Sequence, residues 1–277
     1  MTFNFEGKVV VITGAGGIIC GELAKAFGAK KAKVALLDLN EKSAQNYADE
    51  IIRKGGQAKS FRVNVLDKEN LESVHDQIKE FFGTCDILIN GAGGNNPKAT
   101  TENEYHEITN NIGGKTFFDL EEKGIDFVFN LNYLGTLLPT QVFAQDMLNK
   151  EDASIINISS MNAYTPLTKI PAYSGAKAAV SNLTEWLAVY FSKTNIRCNA
   201  IAPGFLITKQ NQQLLFDEAG KPTQRTKKIL RNTPMGRFGR AEELVGSVLF
   251  LADSSLSGFI NGINLPIDGG FRAYSGV

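Results

Sequence analysis

The chain has 277 residues, 43% hydrophobic and 21% charged, an ordinary globular composition long enough to bury a core without cross-links. Lys plus Arg and Asp plus Glu each total 29, so the zero net charge gives no electrostatic reason to expect a nucleic acid or an anionic membrane as partner. The cysteines Cys20, Cys85 and Cys198 are widely spaced, and His75 and His106 are the only histidines, which argues against a disulfide framework and against a metal site.

Residues 1–8 hold no apolar signal core and the run at 9–12 is far too short to span a membrane, so the expected location is the cytoplasm. That run, Val-Val-Val-Ile, is the β-branched segment a buried parallel strand needs, and a helical stretch follows over 21–30. Residues 34–37 form a second apolar run ending at Asp38. Ala44, Tyr47, Ala48, Ile51 and Ile52 then share one helical face, closed by Gly55-Gly56. Residues 61–65 read as a third strand, Leu71, Val74, Ile78 and Phe81 mark a helix, and 86–89 read as a fourth strand. The stretch from 91 to 122, rich in Gly, Asn, Thr and Lys, exceeds the roughly 12–15 residues that connections in compact domains reach, so 94–122 reads as an extended functional loop. A long helix is expected over 127–147, then a strand at 154–158, a helix at 172–191 and a strand at 196–201. The polar residues 205–236, which contain Pro222 and Pro234, read as a substrate lid. A helix at 242–252 and a short strand at 262–266 complete the chain. Repeated strand–helix units without a linker predict one α/β domain over 1–277, a doubly wound parallel sheet of Rossmann type with helices on both faces.

Thr13-Gly14-Ala15-Gly16-Gly17 lies between the first strand and the first helix, where glycines let backbone N–H groups approach a pyrophosphate. Asp38 closes the second strand, where a carboxylate accepts hydrogen bonds from adenosine ribose hydroxyls and repels a 2′-phosphate. No Arg or Lys stands at 14–21 or at 39 to receive that phosphate, which favours NAD over NADP. Further along, Tyr173 and Lys177 are one helical turn apart, so their side chains share a face. A neighbouring ammonium favours phenolate and draws down the phenol's ordinary pKa, near 10.

Taken with Asn90-Gly91-Ala92-Gly93, Asn132 with Gly135, Ile158-Ser159-Ser160, Pro203-Gly204 and Asp268-Gly269-Gly270, these motifs make the chain resemble the short-chain dehydrogenase/reductase family over nearly its whole length. The resemblance implies that Tyr173 is the general acid/base on the substrate oxygen. It implies that Ser160, rather than Ser159, steadies that oxygen, and that Lys177 holds the nicotinamide ribose. Asn132, with Asn130 as competitor, would hold a proton-relay water. The cofactor would be lined by Gly14, Gly16, Gly17, Ile18, Asp38, Asn64, Val65, Asn90, Gly91, Ala92, Tyr173, Lys177, Pro203, Gly204, Ile207 and Thr208. A homotetramer is implied as well, with the long helices packing between subunits.

One departure stands out. The family pattern needs glycine at 18 and 20, where this chain has Ile18 and Cys20, with glycine instead at 16, 17 and 21. That predicts a shifted loop path, with a displaced or more weakly held cofactor. The loop and the segment Gly94-Asn95-Asn96-Pro97-Lys98 resemble the D-mannonate oxidoreductase branch, which implies interconversion of D-fructuronate and D-mannonate. An anionic, hydroxyl-rich sugar acid requires a cation and amides, for which Asn95, Asn96, Lys98, Asn162 and Lys209 are available. Phe117-Phe118 reads as packing, and neither histidine receives a role.

Overall fold

The computed structural model describes residues 3–108, 113–207, 215–218 and 220–276. Its elements are β1 (Val9–Thr13), α1 (Ile18–Ala29), β2 (Lys33–Asp38), α2 (Glu41–Arg53), β3 (Gln57–Arg62), α3 (Lys68–Phe81), β4 (Ile87–Asn90), α4 (Glu122–Phe129), α5 (Gly135–Met147), β5 (Ala153–Ile158), α6 (Pro171–Tyr190), β6 (Ile196–Pro203), α7 (Gln224–Arg231), α8 (Glu242–Ala252), α9 (Ser254–Ser257) and β7 (Asn264–Ile267). The strands form one parallel seven-stranded sheet in the order β3-β2-β1-β4-β5-β6-β7, the doubly wound Rossmann arrangement. The central strands are buried on both faces, which is why β1, β4 and β5 read as unbroken apolar runs.

One core lies between the sheet and helices α1, α2 and α8, built around Leu23, Phe27, Ile12 and Leu249. The other packs α3, α5 and α6 on the opposite face through Leu71, Ile78, Phe143, Met147 and Leu183. Gly21 is needed where α1 meets α2, because a Cβ there would sit 2.3 Å from the Tyr47 ring. Among the described residues no helix is long and apolar enough to cross a membrane.

Several expectations need correction. The third strand is Gln57–Arg62, not 61–65: β3 is the sheet edge, its Gln57 and Arg62 face solvent, and an apolar-run criterion misses it. On α3, Phe81 is 57% exposed and Phe82 is buried in its place, because the helix ends there. The helix expected over 127–147 begins at Glu122 and is broken by a widened π-type turn over Asn130–Leu134. His75, given no role from the sequence, is half-buried: its Nε2 lies 2.9 Å from the Asp146 carboxylate and its ring meets Phe143 edge-on. Phe117 and Phe118 are 65% and 77% exposed rather than packed, their rings meeting each other edge-on.

Candidate active site

Strand order reverses between β1 and β4, and the crevice above their carboxyl ends is where open α/β sheets take ligands. The two strand ends are tied together there: Thr13 Oγ1 accepts from Gly91 N at 3.1 Å and from Ala92 N at 3.3 Å. Gly14, at φ +66°, permits this closeness, because a Cβ on it would lie 2.8 Å from Ala92 N. The chain then turns into α1 with Gly17 as N-cap. Gly17 N donates to Gly14 O and Gly21 N to Gly17 O, whereas Ile18 N and Ile19 N have no partner among the described residues. Those two amides sit at the positive end of a twelve-residue helix, the arrangement that receives a phosphate.

Asp38 faces this loop. Its Oδ2 accepts from Gly16 N at 2.9 Å and its Oδ1 from Asn40 N at 2.8 Å, leaving each oxygen a further lone pair. Gly16 carries no side chain because a Cβ would lie 3.0 Å from Asp38 Cγ. Asn64 and Val65 follow β3; Asn64 Oδ1 caps Leu66 N, and buried Val65 packs against Gly135. The residues present therefore fit a dinucleotide with a free ribose diol: unpaired amides for its pyrophosphate and a carboxylate for its hydroxyls. Changing Asp38→Asn is expected to raise the NADH dissociation constant about tenfold, one charge-assisted hydrogen bond. The same change should narrow the NADH-over-NADPH preference, as fluorescence titration with both nucleotides would read.

The chemical groups meet one strand further along. Ser160 stands two residues past the end of β5, and its hydroxyl is close enough to the Tyr173 phenol to act on its pKa. Tyr173 is half-buried in the first turn of α6, packed beside Ala99, Val128 and Ala172. Burial pushes its phenol above the ordinary value, and the Ser160 hydroxyl draws it partly back. Lys177, 5% exposed, donates to Ile158 O at 2.8 Å and lies 5.7 Å from the Tyr173 ring centre. Burial pulls its ammonium down to about 8.

Asn132 is fully buried in the widened turn. Its amide donates to Gly94 O at 2.8 Å and Val128 O at 2.7 Å and accepts from Gly94 N at 3.3 Å, which pins the loop after β4. Gly93 lies between the groups: a Cβ there would sit 2.6 Å from Asn132 Oδ1 and 3.1 Å from Lys177 Nζ. Asn130, by contrast, is exposed. Asn90 lies deeper, donating to Thr140 Oγ1 and Asn157 Oδ1, both at 2.9 Å. Ser159 turns away from the site to Ser181 Oγ at 2.8 Å.

Other candidates are more scattered. Pro203 ends β6, and Gly204 fits against Asp268, whose Cα would lie 2.6 Å from a Cβ on it. Ile207 N is held by Gly239 O; Thr208 and Lys209 lie outside the described residues. Asn95 donates to Thr100 Oγ1 at 2.9 Å, Asn96 caps the short turn Pro97–Ala99, and Lys98 is exposed and ion-paired with Glu121 at 2.8 Å. Asn162 is buried beside Ser160, with its Oδ1 lacking a partner among the described residues. The sequence reading missed Cys20 as a structural element. It is buried in the first turn of α1, and its Sγ fills the space a side chain at Gly91 would take.

A family model described as enoyl-(acyl carrier protein) reductase matches residues 14–272. An uncharacterized oxidoreductase of Haemophilus influenzae is 66% identical over 274 residues, 99% of this chain and 96% of that protein. A crystal structure from Haemophilus influenza, provisionally assigned as a D-mannonate oxidoreductase and holding NAD, is likewise 66% identical, covering 99% of this chain and 98% of its own, with a TM-score of 0.96. The 2-dehydro-3-deoxy-D-gluconate 5-dehydrogenase of Dickeya dadantii is 31% identical, with 98% of each chain covered. With the crevice, the paired Ser160 and Tyr173, and Lys177 one turn on, these similarities establish that the chain belongs to the short-chain dehydrogenase/reductase family of oxidoreductases.

Proposed function

We propose that the protein is an NAD-dependent oxidoreductase interconverting a ketone and a secondary alcohol, with D-fructuronate and D-mannonate as its substrate pair. The observation that carries this reading is the convergence of Ser160, Tyr173 and Lys177 at the carboxyl edge of the sheet, with Lys177 Nζ 5.7 Å from the Tyr173 ring centre and the Ser160 hydroxyl acting on the phenol. When bound, the dinucleotide supplies or takes up the hydride at its nicotinamide. Tyr173 delivers a proton to the carbonyl oxygen during reduction and withdraws it during oxidation. Ser160 hydrogen-bonds that same oxygen as charge develops on it. Lys177, held by Ile158 O, orients the nicotinamide ribose and lowers the phenol pKa. Asn132 keeps the widened turn and the loop after β4 in register beside Lys177. Ile18 and Ile19 N–H groups receive the pyrophosphate and Asp38 the adenosine ribose.

The sugar-acid assignment draws on the 66% identical chain provisionally assigned as a D-mannonate oxidoreductase with NAD, and on the 31% identical relative named for a keto sugar acid. The family model's description names an enoyl-(acyl carrier protein) substrate; among acyl compounds only a 3-oxoacyl thioester presents the ketone this chemistry needs, and it is the competing reading. A substrate panel followed by NADH absorbance separates them. D-fructuronate is expected to be reduced at least tenfold more efficiently than neutral ketoses, polyols or a 3-oxoacyl thioester. Preference for the thioester, or turnover of none of them despite NADH binding, overturns the assignment.

We place the enzyme in the cytoplasm as a homotetramer. Its three buried, unpaired thiols suit a reducing compartment. The α5 and α6 surface exposes Trp186 stacked on Tyr190 at 4.8 Å, beside Val189 and Leu148, an apolar face of the kind subunits cover.

A further inference from the structure

Helix α7 carries Arg225, Lys227, Lys228 and Arg231 within eight residues and no carboxylate, in a chain whose net charge is zero overall. Thr226 and Ile229 bury its inner face, so all four cations project from the exposed side. Its position follows from its anchors. Beyond its C-terminal end, Met235 N donates to Gly269 O, just past β7. Gly239 N donates to Phe205 O, just past β6. At its other face, Lys228 Nζ reaches Glu104 at 2.9 Å, in the excursion that leaves β4. That excursion is fastened beside the start of α6, where Thr101 N donates to Lys169 O. In the order β4-β5-β6-β7, these anchors lie on either side of β5, past whose carboxyl end Ser160 and Tyr173 stand.

Local structure does not account for this charge. Glu104 neutralises Lys228, but among the described residues Arg225, Lys227 and Arg231 have no carboxylate within 4 Å. Lys227 and Arg231, four apart, repel along one helix face. Lys228 and Arg231 complement the negative end of the helix, but Arg225 lies in the first turn, where a cation opposes the helix dipole. The candidate cation Lys98 is already committed to Glu121.

We infer that α7 is the element that selects an anionic substrate: Arg225, Lys227 and Arg231 draw a sugar-acid carboxylate to the mouth above Tyr173. This rests on the sugar-acid reading and identifies which residues enforce it. The dinucleotide pyrophosphate is the other anion within the site, and the test separates the two.

Two variants are compared with the wild type: the triple Arg225→Gln/Lys227→Gln/Arg231→Gln and the single Arg225→Glu. Both leave Lys228–Glu104 and the buried face intact, and Arg225→Glu improves the helix dipole, so a loss in that variant is not a loss of helix. The kcat/KM for D-fructuronate at low ionic strength is expected to fall about tenfold or more in each, through KM. Values for a neutral ketose and the NADH dissociation constant should be unchanged. Wild-type efficiency on the uronate should also drop as salt rises and the Debye length contracts from about 30 to about 8 Å, with a weaker drop in the triple variant. Unchanged uronate efficiency in both variants overturns the inference while leaving the sugar-acid reading standing. An equal loss on the neutral ketose overturns it as well, and a rise only in the NADH dissociation constant assigns α7 to the pyrophosphate instead. If the wild type turns over no anionic substrate at all, the sugar-acid reading fails and the inference falls with it.

Discussion

Tyr173→Phe is expected to lower kcat about 10²–10⁴-fold, the range that a positioned general acid or base supplies, equivalent to about 3–5 kcal/mol of barrier. The NADH dissociation constant should stay within about twofold. The substitution removes one hydroxyl and leaves the ring, which packs against Ala99, Val128 and Ala172, in place. The lost oxygen is the one the Ser160 hydroxyl acts on, so on the proposed mechanism Ser160 is left to hydrogen-bond the substrate carbonyl. The pH profile adds a second readout. Burial holds the Tyr173 phenol above its ordinary value, and Lys177, itself pulled to about 8, carries its charge below that pH and loses it above. Alcohol oxidation in the wild type should therefore depend on pH through the protonation of the phenol, and the residual rate of Tyr173→Phe should not follow it. Stopped-flow turnover with NADH titration checks both points. Retention of kcat within tenfold would mean that the phenol is not the proton carrier.

The sequence carried the placing of Tyr173 and Lys177 on one helix face further than it carried some of the backbone around them. Tyr173 and Lys177 were legible because their spacing is a property of any helix, and the apolar runs of β1, β4 and β5 because both their faces are covered. Edge strand β3 was misplaced because one of its faces is solvated. The widened turn at Asn130–Leu134 left no trace in hydrophobic spacing, since it inserts within a continuous helical pattern; only the motif pointed to Asn132 rather than exposed Asn130. The charge on α7 was visible as composition, but its place at the carboxyl side of the sheet depends on Glu104 and on the Met235–Gly269 bond beyond the helix, both far away in sequence. The loop departure at Cys20 was visible too, yet its accommodation was not, because the complementary residue is Gly91 on another strand end.

That accommodation predicts the second large effect. A Cβ at Gly91 would lie 2.1 Å from Cys20 Sγ and 3.0 Å from Thr13 O, so Gly91→Ala overfills the junction of β1, α1 and β4. Overpacking of this kind costs about 1–3 kcal/mol. It also strains the bonds from Gly91 and Ala92 to Thr13 Oγ1 that set the floor of the crevice. Cys20→Ala removes the sulfur and keeps a good helix former, and so should cost only the lost burial. If sulfur and glycine are a matched pair, the double variant recovers most of what Gly91→Ala loses, with a coupling of about 1–2 kcal/mol by urea unfolding. NADH affinity should fall and return in parallel, because the same junction aims Ile18 N and Ile19 N. Additive losses in the double variant would show that Thr13 O, not Cys20, excludes the methyl group. The thiol itself serves as an apolar filler: burial pushes it to about 12, so it adds no charge beneath Lys177 at neutral pH. The cysteine at 20 is then compatible with a normally placed dinucleotide, because the volume it adds to α1 is removed from the strand end facing it.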